Sequence, residues 1–375
     1  MKVLFVMKYP LTREYSVLQK FNGEMNAVRK LGHKVSYISF DEHYLYLNDE
    51  NGKKRIKATT FGKSKLYYHT LVFSDLYSAT MKVLKNHHFD MVYFRYSPIG
   101  IKGYRMMKMA SKVTKVVVEI PTFPPSREKQ KGVARQVYMT FSYAMWKRSA
   151  RFITLFTGIG ESAKEYLGVP FINIDNGVDV GLIPLRHPKK DGKIHLLAVA
   201  SMAKWHGYDR IIKGLSQWNN SELKNTVIDL VGGEGDGSLE EWRRLAKASD
   251  VEEQVVFHGV KTGDELTALF DKATIGIGSL GLYRNGINNG SILKIREYAA
   301  RGLPFIYAHN DPHIPSDAAW CLKFSNDDTP IDMDKVYAFI LSISDIEKVG
   351  NNMREYAEEY MSWEAQFKLV FCAIE

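Results

Sequence analysis

Lys294 and Glu297 stand one helical turn apart in the segment GINNGSILKIREYAARGLPFIYA, residues 286–308. That i, i+3 spacing puts both side chains on one face of a helix. The Gly/Asn run before them supplies backbone freedom and free N–H groups at Asn289, Gly290, Ser291 and Ile292. A helix beginning at about Ser291, capped by Ser291 or Asn289, adds partial positive charge, so loop, helix start and Lys294 together suit an anion. Glu297 would accept hydrogen bonds from ligand hydroxyls. The competing reading is an ordinary helix with a surface Lys294–Glu297 ion pair. A second candidate is VASMAKWHGYDRII (199–212), where a strand runs into a loop holding Lys204 and His206. This sets Lys204 at the carboxyl end of a strand, where a diphosphate would lie, against the plainer reading of a solvated lysine. The third is LVGGEGDG (230–237), with Gly233 and Glu234. Its glycine spacing is like that of dinucleotide-binding loops, but it does not follow the first strand of its half, and a plain turn competes with it.

Alternating strands and helices must position these residues. KVLFVM (2–7) is a buried strand, 14–32 an amphipathic helix ending at Gly32, and 33–40 the next strand. Residues 41–70 read as polar and basic, with a turn or hairpin at NGKK (51–54). Helices are expected at 73–86, 99–112 and 131–150, and strands at 90–97, 115–121, 151–158 and 171–179. PTFPPSRE (121–128) is a proline-stiffened loop, and 181–193, with two prolines and a charge run, is a linker candidate. The alternation then restarts, with strands at 194–201, 225–232, 254–260, 274–280 and 303–308. Helices are expected between these strands and at 332–343, 345–361 and 363–373. Two successive alternations imply an α/β protein of two doubly wound, mostly parallel sheets, with ligands at the carboxyl ends of strands in a cleft between the domains.

The bulk numbers narrow the classes. A chain of 375 residues with 45% hydrophobic and 25% charged residues is an ordinary two-domain globular protein. Two cysteines, Cys321 and Cys372, exclude a disulfide framework and suit a reducing cytoplasm. The opening MKVLFVMKYP is too short for a signal peptide, and no apolar run is long enough for a membrane span. The net charge of +9 is uneven. Residues 1–180 carry 29 Lys+Arg against 14 Asp+Glu, a balance of +15, and the remainder carries 22 against 28, a balance of −6. The basic half suits an anionic partner. Nucleic acid is not expected, for want of any zinc-finger, helix-turn-helix or RNP pattern. A membrane surface or lipid phosphate fits better, and the aromatic, cationic stretch 131–153 could lie on one. A solvated basic face and an internal helix are the plain alternatives.

The sequence resembles glycosyltransferases of the GT-B fold, family 4, which are retaining sugar-nucleotide transferases. The likeness runs over nearly the whole chain and is strongest at SILKIREYAARGLPFIYA (291–308), where Glu297 matches the second glutamate of that family's E-x7-E motif. IDNGVD (174–179), HGYDRIIKGL (206–215), VIDLVGGEGD (227–236), VVFHGV (255–260) and SWEAQF (362–367) support it in order. Two departures stand out. Asn289 occupies the place of the first glutamate, and the usual basic pair after the first strand of the second domain is displaced, with Met202 and His206 at its positions and Lys204 between them.

The resemblance implies an acceptor-binding domain at 1–183, a nucleotide-sugar domain at 190–357, and a last helix (358–375) crossing back to the first domain. It implies transfer of a hexose-type sugar, from UDP in preference to GDP, to a glycan or lipid-linked glycan in capsule- or O-antigen-like assembly. Lys204, Lys294 and Glu297 would be the catalytic set, with Glu297 on the donor ribose. Asn289, Gly290, Ser291, Ile292, His206, Gly233, Glu234 and backbone groups of Gly259 and Val260 would line the donor. Arg95 and Glu119, at the ends of successive strands, would lie on the acceptor side, or form a structural ion pair. Lysines and a helix start can stabilise a leaving diphosphate without a metal, so no cofactor is expected. The Asp-x-Asp pair DMD (332–334) precedes a helix and reads as a cap. The implied location is cytoplasmic, at the inner face of the membrane. An epimerase of the same architecture and a non-catalytic nucleotide-sugar-binding partner stay open as alternatives.

Overall fold

The computed structural model describes residues 1–11, 17–60, 71–125 and 133–375. The starts of the predicted helices at 14 and 131, the end of the 41–70 segment and the end of the 121–128 loop lie outside the described residues. The chain forms two compact units, Met1–Gly177 with Trp363–Glu375, and Val178–Ser362. The crossing into the second unit therefore comes before the proline-containing stretch 181–193.

In the first unit the strands are β1 (Lys2–Val6), β2 (Lys34–Phe40), β3 (Tyr44–Asp49), β4 (Gly52–Ala58), β5 (Met91–Arg95), β6 (Lys115–Phe123), β7 (Leu155–Gly160), β8 (Glu165–Tyr166) and β9 (Val169–Asn173). Its helices are α1 (Leu18–Lys30), α2 (Val72–Asn86), α3 (Ile101–Ala110) and α4 (Val133–Ser149). The sheet runs β4-β3-β2-β1-β5-β6-β7-β9-β8. The pairs from β2 through β1, β5, β6 and β7 to β9 are parallel, while β3, β4 and β8 are antiparallel additions at the edges. Strand periodicity divides the core. Leu4 and Val6 of β1 pack with Leu76, Met106 and Trp146 from α2, α3 and α4. Val3 and Phe5 pack with Phe21 and Met25 of α1 and with Phe367 and Phe371 near the C-terminus. The hairpin expected at NGKK within the polar, basic segment is present as β3 and β4. Leu45 and Leu47 point into the first core, so the NGKK turn joins two real strands.

The second unit holds β10 (Ile194–Val199), α5 (Tyr208–Gln217), β11 (Thr226–Val231), α6 (Ser238–Ala248), β12 (Val255–Gly259), α7 (Gly263–Lys272), β13 (Ile275–Ile277), α8 (Leu293–Arg301), β14 (Phe305–Tyr307), β15 (Cys321–Lys323), α9 (Met333–Ser342) and α10 (Ile346–Tyr360). Its sheet, β12-β11-β10-β13-β14-β15, is parallel throughout. Leu196 and Ala198 face α5, α6 and α9, and Leu197 faces α7, α8 and α10. The short strand β15 escaped the sequence reading, because its three residues are only partly buried, unlike those of β13 and β14, and leave no buried apolar run. The last helix, α11 (Trp363–Ile374), belongs to the first unit and lays Phe367 and Val370 against its second core. Among the described residues no helix is long and apolar enough to cross a membrane.

Candidate functional site

The turn from the Gly/Asn loop into α8 determines where its two charged side chains go. Ile292 is the N-cap of α8 and no side chain caps it, which corrects the expected Ser291 or Asn289 cap. Asn289 instead faces the loop after β14, where its Oδ1 accepts from Asn310 Nδ2 at 3.1 Å. The N–H of Gly290, expected to be free, donates to the Asn310 carbonyl at 2.9 Å. Ser291 is buried. Lys294 turns inward and is 9% exposed. Its Nζ donates to Tyr208 Oη at 2.7 Å and to His206 Nδ1 at 2.8 Å. Since Nδ1 accepts, the neutral ring carries its proton on Nε2. Glu297 remains half-buried and accepts from Arg301 Nε at 2.9 Å. The Lys294–Glu297 surface ion pair is therefore absent, and Lys294 has no carboxylate partner among the described residues.

That arrangement carries an electrostatic cost. Burial lowers the Lys294 ammonium well below its usual range. Burial, and then the neighbouring Lys294, drive His206 down to about 2. Ser279 Oγ lies 3.2 Å from the same His206 nitrogen, and the His206 ring stacks on Tyr208 at 5.5 Å. A buried cation without an anion is costly to hold, and an arriving anion removes that cost.

Three more loops meet this one at the carboxyl edge of the sheet. Lys204 is exposed on the turn Lys204–His206, and its N–H donates to Asp236 Oδ2 at 3.0 Å. Gly207, with φ of +69°, lies so close to the chain after β13 that a Cβ there would meet the Gly281 nitrogen at 2.6 Å. The loop after β11 is fastened to the loop after β10, with Met202 N donating to Gly233 O at 2.7 Å and Gly235 N to Met202 O at 3.0 Å. Gly232 has φ of +146°, and a Cβ on it would stand 1.6 Å from the Ala200 carbonyl oxygen. The Oε1 of Glu234 accepts the N–H groups of Gly235, Asp236 and Gly237 at 2.7–3.0 Å, so this oxygen is committed to its own turn. Gly259 O accepts from Gly232 N at 2.7 Å, and Val260 beyond it is 71% exposed.

No protein-family model and no curated protein matches the chain. Solved structures do. WaaG, a glycosyltransferase involved in lipopolysaccharide biosynthesis, is 15% identical over 100% of this chain and 99% of its own, with a TM-score of 0.58. HepE from Anabaena in complex with UDP is 11% identical over 100% of both chains, at 0.63. Sucrose-phosphate synthase from Thermosynechococcus elongatus is 13% identical over 99% of both, at 0.60. The chain has the GT-B fold. At such identities the likeness establishes the fold and leaves the activity to be argued from the site.

Within the GT-B fold the two halves of the sequence-derived residue set fall in different units. Lys204, His206, Gly233, Glu234, Gly259, Val260, Asn289, Gly290, Ser291, Ile292, Lys294 and Glu297 lie in the second unit, and Arg95 and Glu119 in the first. Arg95 Nη1 donates to both Glu119 oxygens, at 3.1 and 2.9 Å, and Lys20 Nζ to Oε1 at 2.8 Å. Burial alone would raise the Glu119 carboxyl, but Arg95 and Lys20 outweigh it and hold the group below its usual value. The fully buried Glu24, one turn beyond Lys20 on α1, goes the other way. Burial, then repulsion from Glu119, push it up to about 7. Among the described residues its oxygens have no hydrogen-bond partner, although Lys20 Nζ stands 3.5 Å away.

Sequence reasoning missed Tyr208, Lys20, Glu24 and Arg284. Arg284 pairs with Asp209 through two bonds of 2.7 and 2.9 Å, holds Asp328 at 2.8 Å, and donates to the Lys204 carbonyl at 2.8 Å. Only Lys20 and Glu24 left a signal, as an i, i+4 pair of opposite charge within an amphipathic helix. Asp332 caps α9 by accepting from Lys335 N at 3.1 Å, as the cap reading of DMD expects, and Asp334 Oδ1 accepts from Trp218 Nε1 at 2.8 Å.

Proposed function

We propose that the protein is a glycosyltransferase that moves a hexose-type sugar from a nucleotide-sugar, UDP in preference, to a glycan or lipid-linked glycan acceptor. The observation that carries this reading is Lys294, an ammonium nine-tenths buried at the first turn of α8 with no carboxylate among the described residues to neutralise it. A diphosphate beside it supplies the missing charge. As the glycosidic bond breaks, negative charge grows on the leaving phosphate, and a preorganised cation stabilises that change more than it stabilises the ground state. Lys204, exposed on the adjacent turn, serves the same phosphates, and Glu297 takes the ribose hydroxyls. We assign retention of configuration by front-face attack, no protein nucleophile and no metal, as the family 4 resemblance implies. HepE was solved with UDP bound, and another structural neighbour, the pneumococcal O-GlcNAc transferase GtfA, with UDP and GlcNAc. Both support a uridine donor.

The experiment is a thermal-shift panel of UDP, GDP, ADP and CMP with and without chelator, followed by a hydrolysis assay on UDP-sugars. A saturable rise with UDP, unaffected by chelator, is expected. If no nucleoside diphosphate raises the melting temperature, the reading fails.

We place the acceptor at a membrane surface. Ile101 of α3 and Val137, Tyr138 and Phe141 of α4 are exposed, 40–65% for each. Lys102, Arg105, Lys147, Arg148 and Arg151 lie in the same stretches of chain. Apolar side chains among cations suit an anionic bilayer, with about 1 kcal/mol per basic residue, screened by salt. Liposome sedimentation should show binding to anionic vesicles that falls as salt rises. Replacing Lys147, Arg148 and Arg151 by serine should weaken it and leave UDP affinity unchanged. Absence of binding at low salt would point to a soluble acceptor.

A further inference from the structure

A cavity of about 270 Å³ opens at the far end of α8, where residues 185–188 run beside the helix C-terminus and the start of α10. It is lined by Arg186, Arg301, Gly302, Glu347, Gly350 and Asn351, among others. Gly302 and Gly350 bring the two helices together so closely that a Cβ on Gly302 would meet the Gly350 Cα at 2.7 Å. The volume is below that of typical drug-sized pockets, about 300–1,000 Å³, and suits a small polar molecule.

Two arginines define its chemistry. Arg186 is 4% exposed and Arg301 6%. Arg186 spends Nε and Nη1 on the carbonyls of Gly302 and Ala273, at 3.0 and 2.6 Å. Arg301 spends Nε on Glu297 and lays its guanidinium over the Phe270 ring at 4.0 Å. Among the described residues, Arg186 Nη2 and Arg301 Nη1 have no hydrogen-bond acceptor. Leaving a buried donor unmet costs about 1–3 kcal/mol, and more when it is charged. Both residues line the cavity, so an anion there would lie beside two buried guanidinium groups that are each incompletely bonded, and a small side-chain shift would let it meet their unmet donors. Arg186 also lacks an ion-pair partner among the described residues. The nearby Asp271 gives its carboxylate to His187 N at 2.9 Å and to Lys189 at 3.5 Å. Among the described residues, the exposed Glu347 is the one acidic side chain lining the cavity.

We propose that this cavity binds a small oxyanion, a phosphate or a carboxylate, through the guanidinium groups of Arg186 and Arg301 that line it, which turn their unmet N–H groups to the ligand, with Glu347 limiting its affinity. Planar guanidinium groups match such oxygens better than any other side chain. The site is separate from Lys294 and does not depend on the transferase reading.

Its test uses thermal unfolding of the full chain in sodium phosphate and in sodium malonate, at constant ionic strength, against sodium chloride. A saturable rise with phosphate or with malonate is expected, and the salt that produces it identifies the ligand chemistry. Two exposed positions on α10 keep the test independent of folding. Glu347→Gln removes the opposing charge and should tighten apparent affinity roughly tenfold. Asn351→Glu adds one and should weaken it by a similar factor. The proposal is overturned if neither oxyanion gives a saturable shift beyond chloride. It is also overturned if either substitution leaves the shift unchanged, because the anion would then be bound elsewhere, for example beside Lys294.

Discussion

Replacing Lys294 by methionine separates the two roles a buried lysine can have. The substitution keeps the volume and removes the charge. In the free protein the ammonium has only Tyr208 Oη and His206 Nδ1 as partners among the described residues. Removing a poorly compensated buried charge stabilises by about 1–4 kcal/mol, and leaving the Tyr208 hydroxyl unmet costs about 1–3 kcal/mol. The unfolding free energy of Lys294→Met should thus stay within about 2 kcal/mol of the parent, measured by urea titration. Nucleotide binding should respond far more. An ammonium about 4 Å from a phosphate oxygen, at an effective dielectric constant of about 20, contributes about 4 kcal/mol per unit charge. Calorimetry with UDP should therefore show Kd rising several-hundred-fold, on the order of 3–4 kcal/mol. The pH dependence gives a second reading. Burial lowers the Lys294 pKa in the free protein, and a diphosphate favours the ammonium, so UDP binding takes up a proton. Affinity should fall as pH rises through the lowered pKa, and Lys294→Met should abolish that slope. A Kd within fivefold of the parent, on a protein with unchanged circular dichroism, would refute the argument and make Lys294 a packing residue.

Three further outcomes follow from the geometry. The Glu24 pKa is raised to about 7 by burial and by Glu119, so its contribution to stability is full below the unfolded value of about 4.5 and is lost as pH rises through 7. Glu24→Gln mimics the neutral form, so it should match the parent at pH 5 and exceed it at pH 8 by on the order of 3 kcal/mol in denaturant titrations. Equal pH profiles would show that Glu24 is ionised when buried. Gly232→Ala places a Cβ 1.6 Å from the Ala200 oxygen at a φ of +146°, and should cost about 3 kcal/mol or more and lower the melting temperature accordingly. A melting temperature within one degree of the parent would contradict the close approach. Arg284→Lys cannot reproduce the two-point pairing with Asp209, so it should destabilise by about 1–2 kcal/mol and weaken UDP binding, since the Lys204 turn hangs on that guanidinium. Retention of both properties would remove Arg284 from the site.

Much of the architecture was legible because the strands are buried on both faces and the helices are amphipathic, and both leave strong periodic patterns. The two-residue strand β8 and the three-residue strand β15 left none. The site was legible in part. Glycines at Gly207 and Gly232 sit where φ is positive and mark the turns around it. Which way Lys294 and Glu297 would face was not legible. Spacing of three allows a pair between them, and only the tertiary contact with Tyr208 and His206 turns the lysine inward while Arg301 claims the glutamate. The amide of Gly290 was misjudged for the same reason, since its partner Asn310 comes from a loop twenty positions later.

The first unit is written in two instalments, with the second unit inserted between them. During synthesis Val178–Ser362 is delivered as one continuous stretch, whereas the first unit waits for Trp363–Glu375. Until those last residues leave the ribosome, Phe5, Phe21 and Tyr93 lack the cover that Phe367 later gives them. The indole of Trp363 closes the gap by lying against Gly23 and Gly177, where a Cβ at either would stand 2.6 Å from it. One aromatic ring thus fastens α1, the exit toward the inserted unit and the return from it, so the first unit cannot be completed before the inserted unit has been made. A nascent chain stalled before Trp363 should carry a first unit that proteases and chaperones still recognise.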